Sequence, residues 1–298
     1  MLSNFQEVLD KARKFGRKTI SVAAAQDKEA LGAVKAAYDQ GLVQPILVGD
    51  ANIIRPLMVE VGLPADTKVV HEPDMRQAAL TAVTLVREGE AQILMKGLVN
   101  SSDFLRAVVN KECGLRTGRL LSHLAVFEVP GSKKLIFHTD GGMNVAPTLE
   151  EKKDILANGL LALQALGVKE PKVAVLAASE VVNPKVSATM DAKAIADLYA
   201  SEPPYPAIVE GPIAMDVALN PEAAEHKGIK SKISGDVDLF LIPNIETGNA
   251  VGKAIAFYAN IKIAGIILGA THPVVMISRA DKAEAKLHSI ALACLAAQ

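Results

Sequence analysis

The sequence predicts an α/β protein built from two α/β subdomains, and three observations carry that reading. Short β-branched runs alternate with helical segments through most of the 298 residues, the pattern that yields parallel sheets with crossover helices. The rhythm breaks once, where Ser122–Val129 and Lys133–His138 are joined by only Pro130-Gly131-Ser132. That link is too short for a crossover and suits an antiparallel hairpin. A second βα series then starts at Lys172.

Each element has a local reason. Phe5, Val8, Leu9 and Ala12 fall at helical spacing among charges, so Met1–Lys14 reads as a short amphipathic helix with no leader-like apolar run. Lys18–Ala23 is the first strand, and a helix over 27–40 is stopped by Gly41. Pro45–Val48, a helix over 53–61 ended by Gly62, Val69-Val70, a helix over 75–88 ended by Gly89, and Gln92–Met95 follow. The loop Lys96-Gly97 then leads to a helix over 103–111. After the hairpin, Thr148 and Glu151 form a capping box ahead of a long helix to Leu166. Further strands are expected near 173–176, 207–209, 239–242 and 264–268, with elaborated loops at Pro203–Pro206 and 220–234. The expected division is a first α/β domain over 1–140 plus 270–298, carrying the C-terminal helix, with a second over 141–269 inserted in it.

Composition sets bounds on function. With 50% hydrophobic and 22% charged residues the chain can bury a sizeable core. A formal charge of −1 gives no global basic field for nucleic acid or an anionic membrane, so an anion site must be a local cluster. Cys113 and Cys294 cannot build a disulfide framework, which fits a reducing cytoplasm. Lys262 and His272 interrupt the longest apolar run, so no membrane-spanning helix is expected.

The most informative stretch is the last. Ile266–Leu268 runs into the loop 269–273, then Ser278-Arg279-Ala280-Asp281 opens a helix, placing a hydroxyl and a fixed cation at a helix start. Unpaired first-turn N–H groups and a guanidinium fork suit an oxyanion, although Ser278 with Asp281 also reads as an N-cap with its capping-box partner. Beyond it, Ala280, Ala283, Leu287, Ile290, Ala291 and Cys294 form one apolar stripe. Glu284 lies on that stripe. Either it is partly desolvated and so a stronger base, or the first turns protrude and it is solvated beside His288.

Other constellations are weaker one by one. Lys96-Gly97 with Asn100-Ser101-Ser102-Asp103 and Arg106 reads as a second anion site or as a capped helix with a solvated arginine. The loop Pro243–Asn249 sits where α/β sheets bind ligands, and Gly248 fits close backbone approach as well as a plain helix start. Its Gly248–Lys253 run is not a Walker A loop, because the glycines are one residue too close and Ala254 replaces the hydroxyl residue. The histidines show no metal-ligand spacing, His123 and His138 being roughly opposed on the hairpin, and no metal is expected. Neither a nucleophile elbow nor a dinucleotide fingerprint is present.

Taken in order, these segments resemble the phosphate acetyl/butyryltransferase family, most closely its butyryl-transferring members, over nearly the whole chain. The carrying residues are Met95-Lys96-Gly97 with 100–106, Gly118-Arg119, Asp140–Pro147, Glu210-Gly211-Pro212 with Asp216, Pro243-Asn244 with Gly248-Asn249, and Ile277-Ser278-Arg279. Acetyl-specific members usually carry Ser-Arg-Gly and then Asp where this chain has Ser278-Arg279-Ala280 and then Glu284.

The resemblance implies an isocitrate/isopropylmalate dehydrogenase-like three-layer architecture with an interdomain cleft. It implies reversible conversion of acyl-CoA and phosphate to acyl phosphate and CoA, without a metal or a permanently bound cofactor, in a cytoplasmic homo-oligomer. By position Glu284 would take the thiol proton, Ser278 would hold the thiol or the oxyanion, and Arg279 with Ser101 and Arg106 the phosphoryl group. Lys96, Gly97, Arg119, Asn144, Gly248 and Asn249 would complete phosphate and CoA binding, with Arg76 and Arg116 further candidates for the CoA phosphates. A thiol of pKa about 8.5 leaves an ordinary glutamate carboxyl about 4 units too acidic, roughly 6 kcal/mol per proton transfer. Two extra methylenes are worth at most about 1.6 kcal/mol, so a butyryl pocket should prefer its substrate to acetyl by only ~15-fold. Alternatives are an acetyl-specific enzyme and a non-catalytic acyl-CoA or phosphometabolite-binding domain of the same fold.

Overall fold

In the first half of the chain the same turn chemistry repeats. Helix α1 (Phe5–Lys14) is capped by Asn4 and buries Phe5, Val8, Leu9 and Ala12. Then β1 (Lys18–Ala23), α2 (Lys28–Asp39), β2 (Val43–Gly49), α3 (Ala51–Val61), β3 (Lys68–His71), α4 (Met75–Arg87), β4 (Ile93–Lys96) and α5 (Ser101–Val108) alternate. Helices α2 to α5 start on Asp27, Asp50, Asp74 and Asn100, whose side-chain oxygens accept from first-turn N–H groups. An Asp or Asn here satisfies orphan donors that alanine would leave bare, worth about 1 kcal/mol per helix. Every βα turn is thereby fixed at the carboxyl end of its strand.

The second half contains β5 (Ser122–Glu128), β6 (Ile136–Thr139), α6 (Leu149–Ala165), β7 (Lys172–Leu176), α7 (Ser187–Ser201), β8 (Ile208–Ile213), α8 (Met215–Leu219), α9 (Pro221–His226), β9 (Leu239–Leu241) and α10 (Ile245–Tyr258). The chain ends with β10 (Lys262–Leu268), β11 (Val274–Val275) and α11 (Ala283–Ala296). The computed structural model describes residues 2–276 and 282–297. Among these residues no helix is long and apolar enough to cross a membrane.

Residues 4–119 with 264–298 form one compact unit, and 1–3 with 120–263 the other. In the first, the strand order is β3-β2-β1-β4-β11-β10. All neighbours are parallel except β10 with β11. In the second, the order is β5-β6-β9-β7-β8, the hairpin β5–β6 being antiparallel and the rest parallel.

Several features differ from the sequence reading. The boundaries fall at 119/120 and 263/264, not at 140/141 and 269/270. The hairpin belongs to the second unit because β6 pairs with β9, and α6 holds its approach: Asn158 Nδ2 donates to Leu120 O and Ser122 Oγ. Strand β11, only two residues long, had no periodicity to reveal it. Part of the expected loop at 220–234 is helix α9, and the rest is fixed by the Glu210 carboxylate, which accepts from Ser231 Oγ at 2.6 Å and Lys232 N at 2.7 Å. Finally α11 is described from Ala283 with extended Lys282 as N-cap, and the capping box read at Ser278 and Asp281 lies outside the described residues. The helix does not present a single apolar stripe, for every residue from His288 to Leu295 is buried. The helix packs on α1, α2 and β11 at once, leaving that stretch no solvent face.

Candidate active site

In the first unit the candidate residues gather at the carboxyl ends of β1 and β4. Gly97 N donates to Ala23 O and Leu98 N to Ala24 O, both at 2.8 Å, which pins the turn after β4 onto the end of β1. A Cβ at residue 97 would lie 2.3 Å from Ala24 O and 2.7 Å from Ala23 O, so only glycine fits. Lys96, half-buried, ends β4 and directs Nζ to Gly97 O at 3.1 Å.

Helix α5 follows at once. Asn100 Oδ1 caps it by accepting from Asp103 N, while Ser101 stands exposed in its first turn. Asp103, whose side chain is 9% exposed, receives Arg76 Nε at 3.0 Å from the first turn of α4 and Arg106 Nη1 from its own helix. The Asn100 amide and the Arg76 guanidinium hold the Asp103 carboxyl below the usual carboxylate range. Each guanidinium spends only part of its donor set on this carboxylate and remains largely exposed, at 72% for Arg76 and 70% for Arg106. Asp103 therefore aims two forks that hold donors in reserve for an oxyanion. Sequence reading gave Asp103 no role of its own; its position three residues before Arg106 was the available signal.

Glu284 belongs to the same edge. Lys286, one turn of α11 beyond the N-cap, donates to Glu29 at 2.6 Å in the first turn of α2, which follows directly from β1. Val275 pairs with Met95, beside Lys96. Of the two readings of Glu284 the solvated one holds: its side chain is 54% exposed, and Oε1 lies 3.9 Å from His288 Nε2. His288 itself is buried, stacked on Phe5 with ring centroids 4.2 Å apart. The protruding first turn of α11 is the reason. Ser278 and Arg279 lie outside the described residues. Arg119 is exposed, its N donating to Thr117 Oγ1.

In the second unit a separate pair of loops meets. Asp140, 1% exposed, accepts from Gly142 N, Met143 N, Asn144 N and Asn144 Nδ2. Asn144 Nδ2 also reaches Leu121 O at 2.9 Å, so this side chain braces its loop and keeps only Oδ1 for other partners. Ile245 N donates to Val145 O, and a Cβ on Gly248 would lie 2.3 Å from Gly141 Cα. Close approach of the loop at Gly141 therefore accounts for glycine at 248. Asn249 is exposed on α10. Beneath this loop His138 sits between Phe127 and Phe240, and burial pushes its ring down to about 4. It pairs with Ala125, leaving His123 a diagonal neighbour across the hairpin. Among the described residues no His, Cys, Asp and Glu side chains are grouped to hold a metal ion.

Comparison with known proteins gives the same answer along the whole chain. A family model described as phosphate acetyl/butaryl transferase matches residues 65–294. The chain is 44% identical to the phosphate butyryltransferase of Clostridium acetobutylicum, covering 100% of this chain and 99% of that protein. It is 36% identical to the phosphate acetyltransferase of Rhizobium meliloti, over 98% and 93%. A branched-chain phosphotransacylase from Enterococcus faecalis V583 superposes with a TM-score of 0.83 at 33% identity, covering 94% of this chain and 99% of that one. With the residue set at the carboxyl ends of β1 and β4 already in place, the chain belongs to the phosphate acetyl/butyryltransferase family.

Proposed function

We propose that this protein reversibly transfers a short-chain acyl group, butyryl foremost, between CoA and phosphate in a ternary complex. The carrying observation is the pair Arg76 and Arg106 aimed by Asp103 beside Lys96 and Ser101. In the direction of thioester synthesis, the thiol proton passes to Glu284 and the sulfur attacks the acyl carbonyl. The carbon–oxygen bond to phosphate then breaks and phosphate leaves with its electron pair. Arg106, Ser101 and Arg279 neutralise the phosphoryl charge, and Ser278 holds the thiol or the oxyanion. With Glu284 solvated, its side chain 54% exposed, charge stabilisation and positioning are what the site supplies to the reaction. Neither a covalent enzyme intermediate nor a permanently bound cofactor is needed, CoA serving as substrate and product. Arg119, Asn144, Gly248 and Asn249 are assigned to binding, Asn144 through the loop it braces.

Butyryl is favoured over acetyl by the identity to the Clostridium protein, and a branched or longer chain is compatible with the Enterococcus structure. A cytoplasmic homo-oligomer is part of the proposal. It is supported by α10, where Gly248 alone is buried while Phe257 and Tyr258 are 83% and 93% exposed. The test is thiol release from acetyl-, butyryl- and hexanoyl-CoA with and without phosphate. Phosphate-dependent release highest with butyryl-CoA is expected; release independent of phosphate, or none from any acyl-CoA, rejects the assignment.

A further inference from the structure

The first unit holds a cavity of about 330 Å³ at the opposite end of its strands from the site above. Its walls are Arg87, the last residue of α4, the turn Asn110, Lys111, Gly114 and Arg116 after α5, and Thr271-His272 ahead of β11. Because β11 runs parallel to β4, with Val274 opposite Leu94, these segments lie at the amino-terminal edge. The four residues of β4 separate them from Lys96, roughly 13 Å at the usual rise per residue.

The cavity is built from fixed parts. Gly114 N donates to Asn110 O, Leu115 N to Val108 O and Thr271 N to Leu115 O, while Arg116 bridges Ala270. A Cβ on Gly114 would meet Asn110 O at 2.4 Å, so the turn closes only with glycine. Asn110 Oδ1 accepts from Glu112 N and Cys113 N, which leaves the Nδ2 end of that amide for a ligand.

Its chemistry is one-sided. Arg87, Lys111 and Arg116 line it, and none has an ion-pair partner among the described residues. Glu88 and Glu112 neighbour them in sequence, but among the described residues no carboxylate lines the cavity. Burial pushes the His272 ring below its ordinary value, so the positive charge comes from the other three. Arg87, Lys111 and Arg116 are exposed, and like charges gathered around one cavity raise the local positive potential, which an anionic ligand lowers. The volume matches small-metabolite pockets, about 300 to 1,000 Å³.

We propose that this cavity is a second anion site, separate from the catalytic one, which binds a small molecule carrying two phosphoryl groups. Inorganic pyrophosphate is the probe. In an Arg106→Gln background, which weakens the catalytic phosphate site, adding Arg87→Gln and Lys111→Gln should weaken calorimetric binding of pyrophosphate about tenfold or more, as expected for losing two charge-assisted contacts. In the wild-type background the same pair should leave the KM for CoA within about twofold. Unchanged pyrophosphate affinity overturns the proposal. So does a KM for CoA that rises in step, since the cavity would then belong to the substrate. Lys111→Glu, with an unaltered thermal transition, repeats the binding test if the double variant folds poorly. The binding arm does not depend on turnover and stands apart from the assigned reaction.

Discussion

Replacing Gly97 by alanine tests whether the turn after β4 positions the catalytic residues. The added Cβ would sit 2.3 Å from Ala24 O and 2.7 Å from Ala23 O, where ordinary contact begins near 3.4 Å. Both partners are backbone, so the turn must move by roughly 1 Å, because no side chain can swing aside. That movement stretches Gly97 N to Ala23 O and Leu98 N to Ala24 O, each 2.8 Å. Each bond is worth about 1 kcal/mol. With an overpacking cost of about 1 to 3 kcal/mol, the sum is about 3 to 5 kcal/mol. Displacing Lys96 and the start of α5 by that amount should lower turnover about 100-fold. Urea unfolding gives the first quantity, and thiol release with saturating butyryl-CoA and phosphate gives the second. A variant as stable as wild type to within about 0.5 kcal/mol, with turnover within about twofold, would refute the close-packing argument.

Other outcomes follow from the same geometry. His138 is pushed down to about 4 from an ordinary 6.5. Its unfolded form therefore binds the proton first as pH falls, and stability should drop by about 3 kcal/mol between pH 6.5 and 4. His138→Phe should flatten that dependence in urea titrations at pH 5 and 7, and an unchanged slope would exonerate the ring. Gly248→Ala drives a Cβ to within 2.3 Å of Gly141 Cα; cooperative unfolding should shift to lower denaturant, and an unshifted midpoint would mean the loops separate freely. Glu284→Gln should lower kcat far more than KM for acyl phosphate, whereas a pure KM effect would remove it from proton transfer. Arg279→Gln should abolish turnover in both directions with the thermal transition unchanged; retained activity would refute its role.

Residues whose meaning is local were readable without coordinates. Asp27, Asp50, Asp74, Asn100 and Thr148 each satisfy first-turn N–H groups within a few residues of themselves, so the starts of their helices follow from chain order. The hairpin 122–139 was equally legible, since a three-residue link admits only an antiparallel return. Glu284 was not. Whether the first turn of α11 protrudes depends on where α1, α2 and β11 end, and no spacing along the helix encodes that. The same limit hid α11's all-round burial and the two-residue strand β11, both created by partners distant in sequence.

Covalent order alone determined the alternation of strand and helix, the caps and the ordered residue set that places the chain in its family, because those depend on neighbours a few positions apart. Tertiary structure decided that Asp103 aims Arg76 and Arg106 together and that Gly97 and Gly248 must lack a Cβ. It also gathered Arg87, Lys111 and Arg116 around one cavity. Each of these is a distance between segments brought close only by packing, and charge and steric repulsion act through distance, not through sequence separation.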